Sequence, residues 1–450
     1  MNQVDQVTAE DVLIIGAGPV GTLLAILLAR SGRKVRVVER RADPRTEGSE
    51  RGRSINLALA ARGLLALERA NVLKQILPHM VEMRGRKLHD LAGRGPLLPY
   101  GQFEGEVIYA ISRARLNLTL IEAAAQIANI ELRFGQRAAD VDARSGTVQL
   151  QDARNQGQHS VSAALVIGAD GAGSAMRNAM RERDQLQASE APLAHDYKEL
   201  HIPATGAGGW ALAPHALHVW PRGGYMLIAL PNPDRTFTAT LFLPASGDPG
   251  FDSLQSAGRA RTFFAAQFAD ALALIPDFES QFMQNPQGQL ATLYCWPWHV
   301  QRVLLLGDAA HAIVPFHGQG LNCGFEDCVE LAELLAQHRN AAEACREFER
   351  SRRPNTDAIA AMAIENYEEM RATVMAPNFA ARKQLSLDLE RRFPRRFIPR
   401  YSMVMFHADI PYAEALRRGA LQEDILDALL AASAGAESEL ATRLMDDAHL

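Results

Sequence analysis

Apolar residues at 12–15, the turn Gly16-Ala17-Gly18-Pro19-Val20-Gly21 and a mostly apolar stretch over 20–30 predict a strand, a glycine turn and a helix. A second strand follows at 34–39 and ends on Glu39, which makes a βαβ opening. A helical pattern over 107–124, short strands at 130–134 and 147–151, and an apolar strand at 165–167 continue an α/β domain. The texture changes near His195. Short segments at 216–220, 225–230 and 236–243 alternate apolar and polar positions, with Gly223-Gly224 and 231–234 as turns, the pattern of an antiparallel meander. Strand character of the first kind returns at 302–306, a long helix is expected from about 320 to 338, and beyond Arg353-Pro354 the chain reads as largely helical.

Composition narrows the class. A chain of 450 residues, 48% hydrophobic and 22% charged, suits two or three globular domains. A net charge of -5 gives no broad attraction to nucleic acid or an anionic membrane, so a nucleic-acid role is disfavoured. Cys295, Cys323, Cys328 and Cys345 lack a Cys-x-x-Cys spacing, so neither a disulfide framework nor a metal site is expected, and the thiols read as reduced and cytoplasmic. The uncharged run 12–29 approaches the length of a membrane helix. Gly16, Gly18, Pro19 and Gly21 interrupt it, however, and Asp5, Glu10 and Asp11 precede it where a signal peptide needs positive charge. Residues 431–450 are Ala-rich and acidic, so no transmembrane anchor is expected there either.

The glycine turn fits G-x-G-x-x-G between strand and helix, with Glu39 23 positions after Gly16. The first glycine permits a tight turn, the second lets a pyrophosphate approach the backbone, and the third allows close helix packing. N–H groups at the helix start would then face the phosphates. Glu39 can accept from ribose hydroxyls and would repel a 2′-phosphate, which favours FAD or NAD. A bare glycine turn is the alternative, disfavoured because strand, helix and acid are all in place.

Two later motifs decide between the dinucleotides. Leu165-Val166-Ile167-Gly168-Ala169-Asp170-Gly171-Ala172-Gly173-Ser174 fails as a second fingerprint because Met176 takes the third glycine position. Val303-Leu304-Leu305-Leu306-Gly307-Asp308-Ala309-Ala310-His311 leads to Pro315-Phe316-His317-Gly318-Gln319-Gly320-Leu321-Asn322. Together with the opening turn, these resemble the Asp-Gly and Gly-Asp segments of the single-component FAD-dependent aromatic hydroxylases. The resemblance implies resident FAD, NADPH as a transient cosubstrate without a domain of its own, and O2. It places Gly16, Gly18, Val20, Gly21, Glu39, Arg40, Ala58 and Arg113 on the cofactor. Asp170 serves both nucleotides, Asp308 the ribityl chain, and Gly318, Gly320, Leu321 and Asn322 a helix start near the flavin. A helix N-terminus would favour an anionic reduced flavin. NADPH against NADH is left open by the residues themselves.

The expected fold class is therefore α/β plus α+β. A Rossmann-like FAD-binding domain (1–75, 101–190 and 290–350) joins an antiparallel-sheet substrate domain (76–100 and 191–289) and a helical C-terminal region (351–450).

Further segments narrow the resemblance: Glu39-Arg40-Arg41, Arg51-Gly52-Arg53-Ser54-Ile55-Asn56-Leu57-Ala58-Leu59, Met83-Arg84-Gly85-Arg86, Pro99-Tyr100-Gly101, Glu365-Asn366-Tyr367 and Arg396-Phe397-Ile398-Pro399-Arg400-Tyr401-Ser402-Met403. Over nearly its full length the chain resembles the kynurenine 3-monooxygenase family. That implies L-kynurenine as substrate and 3-hydroxy-L-kynurenine as product, with oxygen carried by a flavin C4a-hydroperoxide. Arg86, Tyr100, Asn366 and Tyr401 would hold the amino-acid end, with Met370 beside them and Arg86 on the carboxylate, which suits the fork geometry of guanidinium. Leu217, Met226, Ile228, Leu230, Thr240 and Phe242 would wall the aryl ring, with Pro315, Phe316 and His317 opposite. Met226, Ile228 and Leu230 alternate and so share a strand face, a pattern equally suited to plain core. His317 and Phe316 are the catalytic candidates, His317 as a proton relay or as a structural histidine. His311 fits a packing role. The substrate's amine activates the ring carbon, so neither a triad nor a metal is expected, and His215 and His218 are followed by no ligand cluster at metal spacing.

Three rival readings stand beside this one. Trp296-Pro297-Trp298-His299 superficially resembles the paired-tryptophan motif of flavin-dependent halogenases, although Val300-Gln301 replaces its Ile-Pro. A hydroxylase of another aromatic acid is the second. The third is a non-enzymatic FAD-binding sensor or membrane-associated interaction protein, motivated by the basic residues from Arg391 to Arg400. Eukaryotic members of the resembled family carry a C-terminal membrane segment, from which 431–450 departs. Oligomeric state is left open, a homodimer included.

Overall fold

Val12–Ile15 is a strand buried at every position in a computed structural model that describes residues 4–6, 12–46, 56–371 and 378–449. Arg51-Gly52-Arg53-Ser54-Ile55 lie outside the described residues. The chain divides into two units, Met1–Met80 with Ile111–Leu193 and Leu290–Pro354, and Val81–Ala110 with Ala194–Gln289 and Asn355–Leu450. The helical C-terminal region thus groups with the antiparallel sheet instead of standing alone.

The first unit is built on a six-stranded sheet in the order His299–Val300, Val303–Leu305, Leu165–Gly168, Val12–Ile15, Val35–Glu39, Ile130–Phe134. All neighbours are parallel except the first pair. Its central strands are apolar throughout, as expected of strands covered on both faces. Gly168 pairs with both Ile15 and Leu305. The three motifs that follow these strands therefore leave the sheet at one carboxyl edge, where open α/β sheets take their ligands.

The stretch read as a helix over 107–124 begins instead as a strand, Ile108–Ser112, and turns helical only at Arg113–Ala125. Ser112 makes the break: its hydroxyl accepts from the Arg115 N–H as an N-cap. Pro354 does not interrupt its helix, which runs Ala341–Arg371. Just before it, Arg352 is buried and anchored, donating 2.7 Å from Nε to Asp327 and pairing with Glu326 at 2.7 Å. His311 also holds Asp327, at 2.7 Å, so its role is polar as well as packing. Burial alone would raise the Asp327 carboxyl, but His311 and Arg352 outweigh it and hold it below the ordinary range. Asp327, His311 and Cys323 come close enough for a metal, yet Arg352 donates to both Asp327 and Cys323, so a cation already occupies the cluster.

The second unit carries a seven-stranded sheet in the order Gln287–Trp296, Gln187–Ile202, Phe237–Pro244, Met226–Pro231, Leu217–Pro221, Gly85–Leu88, Leu97–Pro99. The expected meander is its centre. One face packs Trp220, Leu227, Phe237 and Leu241 against Phe264 and Phe278. Across the strands Met226 pairs with Phe242, Ile228 with Thr240 and Val219, and Leu217 with Arg86. These residues, with Leu230, therefore share the opposite face. Helices Phe379–Arg392, Arg400–Phe406, Tyr412–Ala431 and Glu439–Asp447 complete the unit, around Leu389, Phe397, Ile425 and Leu429. Among the described residues no helix is long and apolar enough to cross a membrane.

Candidate active site

In the first unit, the fingerprint glycines differ in what they do. Gly16 sits at φ +112°, and a Cβ there would lie 2.4 Å from the Ala169 carbonyl oxygen; a Cβ on Gly21 would lie 2.1 Å from that of Gly16. Both are demanded by packing. Gly18 has nothing within 4 Å of where its Cβ would be. It precedes the helix Pro19–Arg30, whose start has no side-chain cap, so the N–H groups of the first turn face open space, the shape a pyrophosphate needs. Val20 is wedged between Gly307 and Gly324, which leaves only its backbone for a phosphate.

Glu39 accepts from Ala17 N–H at 2.9 Å and from the Arg41 N–H and Nε at 3.0 and 2.9 Å. Burial alone would raise its carboxyl, but Arg41 and the Ala17 N–H outweigh it and keep it lowered. Beside it opens a cleft of about 350 Å³ lined by Ala17, Glu39, Arg41, Arg113, Asn117 and Phe134 among others. Arg40 is exposed and does not line it. Its neighbour Arg41 does, because the guanidinium folds back onto Glu39.

Asp308 opens the one-turn helix Asp308–His311 after Gly307, exposed and without a partner among the described residues. Asp170 is partly structural. One oxygen caps the helix Ala175–Glu182, accepting from Ala175 and Met176 N–H at 2.7 and 3.3 Å; the other is buried with no partner, and burial raises the carboxyl. Arg177 ties this corner to the Asp308 turn through the Ala309 carbonyl at 3.0 Å. The Asn322 side chain is a brace: its oxygen accepts from Ala60 N–H, and its amide donates to the carbonyls of Ala58 and Gly318, all at 2.8–2.9 Å. Gly320 and Leu321 begin the uncapped helix Gly320–Gln337, and Gly318 takes φ +66° before it. In the turn Pro315–His317, Phe316 and His317 are buried while Pro315 is exposed. The open space at Gly18, the cleft at Glu39, the unpaired Asp308 and two uncapped helix starts fit an extended dinucleotide such as FAD.

In the second unit, Arg86, Tyr100, Asn366 and Tyr401 come together. Arg86 is buried and donates to Glu369 Oε1 at 3.2 Å and Asn366 Oδ1 at 3.3 Å. Its guanidinium stands 4.9 Å from the Tyr401 ring centre and 6.0 Å from that of Tyr100, and the two rings stack at 5.7 Å. The Tyr100 hydroxyl is buried; burial and the neighbouring Tyr401 push it up, and the Arg86 guanidinium beside it opposes the rise. Asn366, Glu369 and Met370 fall on one face of their helix, and the Asn366 amide donates to Met370 Sδ at 3.5 Å. Glu369 escaped the sequence reading. An acid three positions after Asn366 was the available signal, and it pairs with the Arg86 guanidinium. Leu217, Met226, Ile228, Leu230, Thr240 and Phe242 lie on the sheet face that carries Arg86, whereas Pro315, Phe316 and His317 belong to the first unit.

Some features recede. Trp298 is core, its indole donating to Cys295, so the tryptophan motif offers no exposed pair. In the basic segment, Arg391 pairs with Asp388, Arg396 with Asp446 at 2.9 Å and Arg400 with Glu365 at 2.6 Å, which offsets part of the charge that motivated an interaction surface. His218 does have polar company, in a chain from Ala213 through His218 and His89 to Asp270 at 2.9, 2.8 and 3.1 Å. These groups line up in sequence instead of converging on a point, and burial lowers His218 to about 4.

A family model described as an FAD binding domain matches residues 9–363. The kynurenine 3-monooxygenase of Stenotrophomonas maltophilia (strain K279a) is 49% identical over 94% of this chain and 92% of its own length. That of Myxococcus xanthus (strain DK1622) is 45% identical over 93% and 90%. Among solved structures, the p-nitrophenol 4-monooxygenase PnpA of Pseudomonas putida DLL-E4 superposes with a TM-score of 0.66 at 18% identity, covering 95% of this chain and 99% of that one, which shows the shared fold.

Proposed function

Because the chain belongs to the kynurenine 3-monooxygenase family of FAD-dependent hydroxylases, we propose that it hydroxylates L-kynurenine to 3-hydroxy-L-kynurenine with NADPH and O2. The observation that carries this reading is a buried guanidinium ringed by two tyrosines and an amide on the sheet face that also carries Met226, Ile228 and Leu230. Bound FAD would carry electrons from NADPH to O2, one oxygen atom of which enters the ring while the other leaves as water. Residues 16–21, Glu39, Arg41, Arg113, Asp170, Asp308 and the turn from Gly318 hold it.

The substrate carboxylate takes the Arg86 fork and displaces Glu369, whose own carboxylate then meets the substrate ammonium. The aryl ring lies against Met226, Ile228, Leu230, Thr240 and Phe242. Its amine makes the neighbouring carbon electron-rich, so the protein's part is orientation and exclusion of water. We assign Phe316 and His317 to the flavin side of the reaction. All four cysteines are buried and reduced, which suits a cytoplasmic enzyme.

NADPH consumption by the FAD-loaded protein, with and without L-kynurenine, together with mass spectrometry of the product, tests the reading. Kynurenine-dependent oxidation with 3-hydroxykynurenine formed supports it. Bound flavin with no kynurenine response would replace it with another aromatic acid.

Two further results are expected. Asp308→Ala removes charged hydrogen bonds to the cofactor at an exposed position, so FAD affinity should fall about tenfold, read by titrating apoprotein, with its melting unchanged. Tyr100→Phe deletes a buried hydroxyl that stands beside Arg86 and would receive the substrate. KM for kynurenine should rise about tenfold while Tm holds or increases; a lower Tm would mean the hydroxyl is already bonded in the free enzyme.

A further inference from the structure

Immediately after Tyr100 the chain turns back on itself, and the turn is closed on one carboxylate. Glu106 accepts from the N–H groups of Gln102 and Phe103 at 2.8 and 2.9 Å, and a Cβ on Gly101 would lie 2.1 Å from Glu106 Oε2. Two side-chain contacts fasten this turn to the helix Phe379–Arg392, one on each side of Tyr100. Ahead of it, Lys383 donates to the Pro99 carbonyl at 3.0 Å. Behind it, the Gln102 amide donates to the Leu387 carbonyl at 3.0 Å and to Glu390 Oε2 at 2.5 Å. Glu390 is only 2% exposed, an uncommon place for a carboxyl group with no cation beside it among the described residues.

Resting on the hydroxylase reading, we propose that Gln102 and Glu390 are positioning residues for kynurenine: they latch the turn after Tyr100 to the helix and so hold the Tyr100 ring on Tyr401 beside Arg86. The latch is pH-sensitive. Burial pushes the Glu390 carboxyl up to about 7; the Gln102 hydrogen bond opposes the rise and the Glu106 carboxylate adds to it. The other charges nearby are engaged elsewhere. On its own helix Arg382 pairs with Glu423 and Asp427 of Tyr412–Ala431, Arg391 with Asp388, and Arg392 donates to Thr442 and the Ala436 carbonyl. Below its folded value the protonated Glu390 accepts from Gln102 without charge. Above it, a buried anion faces Glu106 with no cation to offset it, and the latch weakens.

The test is the pH dependence of KM and kcat for kynurenine in the FAD-loaded wild type, Glu390→Gln and Gln102→Ala, from about pH 6 to about pH 8. Wild-type KM should rise about threefold across this range with kcat nearly constant. Glu390→Gln keeps an acceptor for Gln102 but cannot ionise, so its KM should stay at the low-pH value; Gln102→Ala should show the raised KM throughout. Lys383, lowered to about 8 by burial and Arg86, is intact in all three and would affect them alike. A Glu390→Gln profile that superposes on the wild type, or a Gln102→Ala enzyme with wild-type KM, overturns the latch. Wild-type protein that gains no NADPH oxidation from kynurenine at any pH would instead remove the hydroxylase reading on which it rests. Backbone amide exchange at 102–106 gives a readout that needs no turnover: protection that falls with pH in the wild type and not in Glu390→Gln supports the latch, and equal profiles overturn it.

Discussion

Gly18→Leu is expected to yield a protein that melts like the apo parent and carries no flavin through purification. At Gly18 the backbone is extended, φ -71° and ψ 175°, a conformation open to any residue, and the space beyond its Cα is empty. The Cβ of a leucine there meets no protein atom within 4 Å. It stands instead over the uncapped start of Pro19–Arg30, where the pyrophosphate would receive its charge-assisted hydrogen bonds. Losing two such bonds costs about 4 kcal/mol, close to a thousandfold in FAD affinity. Gly16→Ala is the control with the opposite signature: φ +112° and a 2.4 Å approach to the Ala169 carbonyl make it a folding defect. Flavin absorbance and thermal melts of the two variants separate the cases. A Gly18→Leu protein that still copurified with flavin would place the dinucleotide elsewhere.

That contrast explains why so much of the cofactor half was legible in the sequence. Its chemistry is carried by the backbone, and glycine is the residue through which backbone geometry becomes visible as letters. The meander was legible for a related reason, since alternation at 226, 228 and 230 is the period of a strand with two different faces. Where side chains act over long sequence separations, the letters said less. Asn322 was placed on the flavin by its motif, but its amide links Ala58 to Gly318, a use that only the folded chain brings about. Arg40 was preferred to Arg41 although a side chain two positions past Glu39 can fold back onto it. Pro354 lies inside Ala341–Arg371 although proline by itself favours a break, and the buried pairing of Arg352 with Asp327 and Glu326 holds the helix just before it. The short strands Gly85–Leu88 and Leu97–Pro99, rich in glycine, charge and proline, have no apolar period to betray them, and they carry Arg86 and lead into Tyr100.

Arg86 is where the substrate half is most sensitive. Arg86→Ala is expected to lower kcat/KM for kynurenine by somewhat more than a hundredfold, about 3 kcal/mol, mostly through KM. The size follows from burial: the guanidinium is buried among two tyrosine rings and an amide with Glu369 as its ion pair, so a substrate carboxylate entering without it would be desolvated and left facing that acid. The folded state should suffer far less. Glu369, the group left behind, is 39% exposed and can return to water, so the melting temperature should move little and FAD content, which depends on the first unit, should not change. Arg86→Lys should recover only part of the loss, because one ammonium cannot reproduce the planar fork that reaches Asn366 and a carboxylate together. Steady-state kinetics on the three proteins, normalised to bound flavin, decide the matter: a lysine variant equal to wild type would reduce Arg86 to a point charge, and an alanine variant with unchanged KM would move the carboxylate site away from this cluster altogether.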